Sequence, residues 1–169
     1  LNLALSLELK ESLLKEGYKV LLTREKDQLT YENGTKNKKK ADTKYRLGLA
    51  SEYPEALFIS IHMNYFEEPS AKGSQIFYSV KNPESKTFAL ILKDSLNKHA
   101  DKKNTREIKE AYPNIYIMRN IKNPAVLLEC GFISNREEEK LLNTKEYRAK
   151  IIKSICESIK TYRDALVKK

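Results

Sequence analysis

The sequence predicts an α/β fold: a mixed, mostly parallel sheet with helices on both faces. Three observations carry this. Segments with helical spacing alternate with short apolar segments along the chain. Two of those segments, Leu57-Phe58-Ile59-Ser60-Ile61 and Ala125-Val126-Leu127-Leu128, are apolar on both faces, as buried parallel strands are. The 169 residues contain no repeat and no linker, so they form one domain, long enough to bury a core of its own.

Taken in order, Leu1 to Glu16 reads as a helix. Leu1, Leu3, Leu5, Leu7 and Leu9 alternate like a strand, yet Leu1, Leu5, Leu9 and Leu13 also recur at helical spacing. Composition decides, because Leu, Ala, Glu and Lys dominate and no Val, Ile or Thr precedes Val20. Gly17 ends the helix at a left-handed position, and Tyr18 to Thr23 follows as a short strand. Glu25 to Thr43 is a polar loop with an Asn33-Gly34 turn and the run Lys38-Lys39-Lys40. Asp42 or Thr43 caps a helix to about Tyr53, where Pro54 forbids continuation. Ala56 to Ile61 and Ser74 to Val80 are strands. Asn82-Pro83-Glu84 starts a helix that turns Phe88, Leu92 and Leu96 inward and ends near Ala100. Asp101 to Ala111 is a charged loop. Ile115 to Met118 and Ala125 to Glu129 are strands, Glu137 to Leu142 a short helix. The last helix, Glu146 to Val167, carries Tyr147, Ile151, Ile155, Ile159, Tyr162 and Leu166 on one stripe.

Composition excludes several classes. No apolar run approaches the ~20 residues of a membrane span. Five Gly and five Pro exclude a collagen-like or low-complexity chain. Two cysteines, Cys130 and Cys156, exclude a disulfide scaffold, and their apolar surroundings predict buried free thiols. Lys and Arg total 32 against 23 Asp and Glu, a net charge of +9, which favours an anionic partner: nucleic acid, acidic lipid or wall polymer. Nothing in the sequence reads as a helix-turn-helix, an RNA-recognition sheet or a zinc finger, so nucleic acid rests on charge alone and is not expected.

Two ionisable residues sit at strand ends, where ligands bind in open α/β sheets. His62 follows Leu57–Ile61 and Glu129 follows Ala125–Leu128. A carboxylate there is expensive to bury and is either paired or functional. The residues alone suggest a hydrolase using a His and a Glu, with metal assistance open. A basic module that docks on an anionic polymer without turnover is the alternative, though a charge-driven binder needs neither residue. Other features have bland readings. Tyr112, Tyr116 and Arg119 serve equally as groove, core or surface. Lys38–Lys40 solvate a loop, Asn64 orients nearby groups, and His99 is an exposed residue at a polar helix end. Cys130, pointing away from the face of Glu129, is no nucleophile.

Longer segments around these residues are similar to a known family. Ile59-Ser60-Ile61-His62-Met63-Asn64 resembles the "SIHxN" motif of zinc-dependent N-acetylmuramoyl-L-alanine amidases, and Pro124 to Asn135 resembles their "PAVLvExGFiSN" segment. Gly17-Tyr18-Lys19-Val20 with Thr23-Arg24 matches "GyxVxlTR", Arg46 stands for the loop arginine before the second helix, and Gly73 opens the strand after the His. The stretch before Arg46 and the wording around Glu129 resemble the germination-specific branch acting on spore cortex.

The resemblance implies a phosphorylase/hydrolase-like three-layer fold. The implied activity is cleavage of the amide between the lactyl group of muramic acid and L-alanine in peptidoglycan. The implied cofactor is Zn2+, held in the family by His, Glu and His with a second Glu as general base. His62 matches the second His ligand and Glu129 the catalytic Glu. The implied location is outside the cytoplasmic membrane: secreted, in cell wall or spore cortex. The family's first two ligands lie upstream, in "DPGHGG" and just before "KDxNLxLAxxL", whereas this chain opens on the "NLAL" of that helix. Residues 1–169 are therefore expected to be a single amidase catalytic domain lacking its N-terminal strand and first metal-ligand segment, with the neighbour position beside the strand Tyr18–Thr23 either vacant or filled by a partner.

Overall fold

In a computed structural model, which describes residues 1–28, 31 and 35–168, six helices and four strands follow one another. They are α1 (Asn2–Lys15), α2 (Lys38–Ser51), β1 (Phe58–Asn64), β2 (Gln75–Tyr78), α3 (Glu84–His99), β3 (Lys109–Glu110), α4 (Tyr116–Asn120), β4 (Ala125–Phe132), α5 (Arg136–Asn143) and α6 (Lys145–Val167). The strands form one mixed sheet in the order β1-β4-β2-β3. β1 runs parallel to β4 and β2 parallel to β3, while β2 and β4 are antiparallel. The expected α/β class, mixed and mostly parallel, is what the chain adopts.

Helices cover both faces. On one, Leu5 and Leu9 of α1, Phe88 and Leu92 of α3, and Ile151 and Ile155 of α6 close on Val126 and Leu128 of β4. On the other, Met118 and Ile121 meet Phe77, Ala125 and Leu127, with Leu47 and Ala50 of α2 against them. Neighbouring side chains along β4 thus serve opposite cores, which explains its unbroken apolar run. Of the two leucine patterns in α1, the helical one is buried: Leu5, Leu9 and Leu13 face inward. Its end is a Schellman turn, with Gly17 at φ +84°, Tyr18 N donating to Leu13 O and Gly17 N to Leu14 O.

Several expectations need correction. Tyr18 to Thr23 is not a strand: it lacks a ladder partner among the described residues. α2 begins earlier than Asp42 or Thr43. Asn37 is its cap, its Oδ1 accepting from Lys40 N at 3.1 Å, so Lys38–Lys40 form an exposed first turn rather than a loop, and Arg46 lies within the helix. The Asn33-Gly34 turn lies outside the described residues. β1 continues through His62 to Asn64. Lys109 and Glu110, expected in a loop, pair with Phe77 and Tyr78. Ile115 to Met118 enters α4 instead of a strand, because a helical turn places Met118 under the second core and aims its carbonyl at Ser79 Oγ, 2.7 Å away. His99 ends α3 half-buried, not exposed, on the face opposite the second core.

β1 is a terminal strand of the described sheet. Beside its outer edge runs a groove of about 700 Å³, whose walls include Leu9, Val20, Leu22, Arg46, Ile59 and His62. Residues 18–24 form its far wall.

Candidate active site

Three strands bring His62, Glu129 and Gln75 into one row. His62 is in register with Glu129 across the parallel β1–β4 pair, and Gln75 with Glu129 across the antiparallel pair. Ile59, Ile61 and Met63 of β1 pack into the first core, so Ser60, His62 and Asn64 face the other side, toward α2. Paired residues on adjacent strands project to the same side, about 4.8 Å apart. The two residues singled out by their places at strand ends thus form a neighbouring pair, and His62 lines the groove.

Each has an environment that fits chemistry. One ring nitrogen of His62, Nε2, lies 3.0 Å from Ser60 Oγ, and the other has no hydrogen-bond partner among the described residues. Burial, and then the Arg46 charge, hold the His62 pKa below its usual value, which favours the neutral imidazole. Arg46 is oriented by Asp42, its Nε 2.9 Å from Oδ2 and its Nη2 3.1 Å from Oδ1. Burial pushes Glu129 up to about 7. Its Oε2 is buried and has no hydrogen-bond partner among the described residues, a costly state for a carboxylate that nothing else in the fold requires.

A carboxylate oxygen without a partner among the described residues, beside an imidazole held neutral, has the chemistry to accept a proton and to contribute one nitrogen to a metal ion. A ligating His usually has its second nitrogen fixed by an oxygen, the role Ser60 Oγ can fill. No three His, Cys, Asp or Glu side chains converge here among the described residues. His99, on α3, does not contribute.

The loop side of the site is set by a buried clamp that sequence reasoning missed. Glu138 accepts from Gly73 N at 2.8 Å through Oε1 and from Phe132 N at 2.7 Å through Oε2. It thereby joins α5, the end of β4 and the approach to β2. Asn135 caps α5 with its Oδ1 and donates through Nδ2 to Pro69 O at 2.9 Å. Asn135-x-x-Glu138 has the spacing of a capping box, but the Glu serves two distant amides instead of its own cap. Gly131 is small because a Cβ there would lie 3.3 Å from both Glu138 Oε2 and Leu142 Cδ1. Gln75 carried no sequence signal; its place depends on register. Asn64 Oδ1 accepts from Tyr65 N. Tyr112 and Tyr116 are exposed, and Tyr112 meets the Phe77 ring at 5.5 Å. Cys130 is buried in the first core, away from Glu129.

Comparison with known proteins gives the family. Residues 1–161 match the Amidase_3 family, N-acetylmuramoyl-L-alanine amidase. The chain is 32% identical over 164 residues to the germination-specific N-acetylmuramoyl-L-alanine amidase of Bacillus subtilis, covering 95% of this chain and 68% of that protein. It is 33% identical over 155 residues to the probable cell wall amidase LytH of Staphylococcus saprophyticus, covering 92% of this chain and 46% of that protein, under half of its length. Among solved structures, the CwlD amidase from Clostridioides difficile, in complex with the GerS lipoprotein, superposes with a TM-score of 0.90 at 35% identity, covering 96% of this chain and 84% of that one. The chain belongs to the N-acetylmuramoyl-L-alanine amidase family.

Proposed function

We propose that this family member hydrolyses the amide between muramic acid and L-alanine in peptidoglycan, with zinc as cofactor, His62 as one zinc ligand and Glu129 as general base. The carrying observation is the in-register pair of His62 and Glu129, whose buried Oε2 lacks a partner among the described residues. Zinc bound at such a site supplies a Lewis acid that polarises the scissile carbonyl and acidifies water. Glu129, with a pKa lifted to about 7, can take a proton from the attacking water and return it to the departing L-alanine nitrogen near neutral pH. Ser60 holds the imidazole, and burial, then the Arg46 charge, favour a neutral His62 able to bind metal. The family supports this reading over the non-catalytic basic module, to which the comparisons lend nothing.

His62 alone offers one ligand where catalytic zinc takes three from protein. An extended segment laid in the groove, pairing with the outer edge of β1, would complete the sheet and bring the remaining ligands beside His62. Support comes from the edge of β1, which has no strand partner among the described residues, from the groove of about 700 Å³ beside it and from the additional length of both relatives. The substrate places the protein outside the cytoplasmic membrane, in wall or spore cortex. No helix among the described residues is long and apolar enough to cross a membrane.

Mass spectrometry of peptidoglycan digested by the full-length protein tests the activity. New L-alanine amino termini paired with free lactyl carboxylates are expected. Cleavage only at glycosidic bonds or within the peptide would overturn it.

A further inference from the structure

Beyond the reacting pair, the described part of the site holds a positively charged platform. β4 carries one more residue than β1 between the pairs His62↔Glu129 and Asn64↔Phe132. His62 and Asn64 are two apart and project to the same side, so their partners Glu129 and Phe132 do as well, the bulge absorbing the extra residue. Phe132 therefore shares a face with Glu129, about 7–10 Å along the strand. Over its ring lies the Arg106 guanidinium, 4.7 Å from the centroid.

Arg106 is held from several sides. Its Nε donates to Lys72 O at 2.7 Å, and its backbone N donates to Asn104 Oδ1 at 3.1 Å. Asn104 is fixed in turn by Ser74, and Gly73 comes so close that a Cβ would lie 2.5 Å from Asn104 Oδ1. The fork, Nη1 and Nη2, has no hydrogen-bond or ion-pair partner among the described residues. Acids nearby are engaged: Glu107 pairs with Lys93 at 2.6 Å, and Glu138 uses both oxygens on backbone amides. A half-buried guanidinium, oriented by a ring and a carbonyl with its planar fork free, is prepared for a carboxylate.

We infer that Arg106, seated on Phe132, binds a carboxylate on the peptide part of the substrate, carried by the residue after the L-alanine. This rests on the amidase reading. Two extended residues span about 7 Å, which matches the separation between Glu129 and Phe132. Arg106 is thus a specificity-determining residue, distinct from the proton-transferring Glu129 and the ligand His62.

The test is binding by the full-length protein carrying Glu129→Gln, with turnover suppressed. The probes are N-acetylmuramoyl-L-alanyl dipeptides whose second residue bears either a free α-carboxylate or its carboxamide. We expect the acid to bind about 10–100-fold more tightly. Arg106→Gln should bring that ratio close to one, while Arg106→Lys, keeping the charge but losing the fork, retains part of it. Because the readout is a ratio within one protein, a general loss of folding or affinity does not imitate it, and the Lys variant serves if the Gln variant does not fold. Equal binding of both probes by the Arg106 parent, or an unchanged ratio in Arg106→Gln, overturns the inference. Cleavage of muramoyl-L-alanine with no acid preference would leave the amidase reading standing and this one fallen. An Arg106-dependent preference without any cleavage by the Glu129 parent would do the reverse.

Discussion

Glu129 has a pKa that works against the fold. Burial raises it from 4.5 to about 7, so within that window the folded, metal-free protein holds a proton that the unfolded chain has lost. Stability accordingly falls as pH rises through the window. Glu129→Gln removes the titration, so the melting temperature of the variant minus that of the parent should grow from about pH 5 to about pH 8. A difference independent of pH would contradict it. The thiols behave differently. Burial, with the neighbouring Glu129 charge, pushes Cys130 up strongly, and burial pushes Cys156 up to about 11. Thiolate is the reactive form, so a thiol reagent at neutral pH should label neither cysteine in the native protein and both in denaturant. Rapid native labelling at either would refute the packing around it. His62 and Glu129 were legible in the sequence, because an ionisable residue ending an apolar strand stands out. Gln75 and Arg106 were not, since strand register and loop approach bring together residues that are distant along the chain.

Single buried side chains tie whole elements together. Arg148 of α6 binds Glu8 of α1, with Nη2 2.8 Å from Oε1, and its Nη1 donates to the carbonyls of Leu142 and Asn143 at 3.3 and 3.0 Å. Three helices meet there. Arg148→Ala leaves those acceptors unpaired and should cost about 2 kcal/mol, or roughly 4–8 °C in Tm by calorimetry. The same scale shows which elements the sequence disclosed. α1, α3 and α6 are long, and their periodic stripes identify them. α4 is a five-residue helix over an apolar run, where periodicity cannot separate helix from strand. β3 has two charged residues and exists only because β2 offers an edge. Tyr18 to Thr23 has the composition of a strand but no neighbour among the described residues, and a strand is defined by its partner. In α2, three lysines oppose the positive end of the helix dipole, which points a sequence reading to a later cap than Asn37.

At the scale of the molecule, the helices on both faces are packed, while the long edge of the sheet has no strand partner among the described residues. That edge is the outer one of β1, where His62 lines the groove with Glu129 beside it on β4. If an extended segment fills the groove, the outward amides of residues 58–64 gain partners. Their hydrogen exchange should then be fast in the chain of residues 1–169 and markedly slower in the full-length protein. Equal rates would mean that the groove stays open. The central claim is the division of labour between the strand-end residues, and zinc content measured alongside muramoyl-L-alanine cleavage in the full-length protein tests it most directly. Glu129→Gln should keep its zinc and lose about 10²–10⁴-fold in rate, whereas His62→Ala should lose both zinc and activity. Cleavage at the parent rate by Glu129→Gln, or an undiminished zinc content in His62→Ala, would contradict the account.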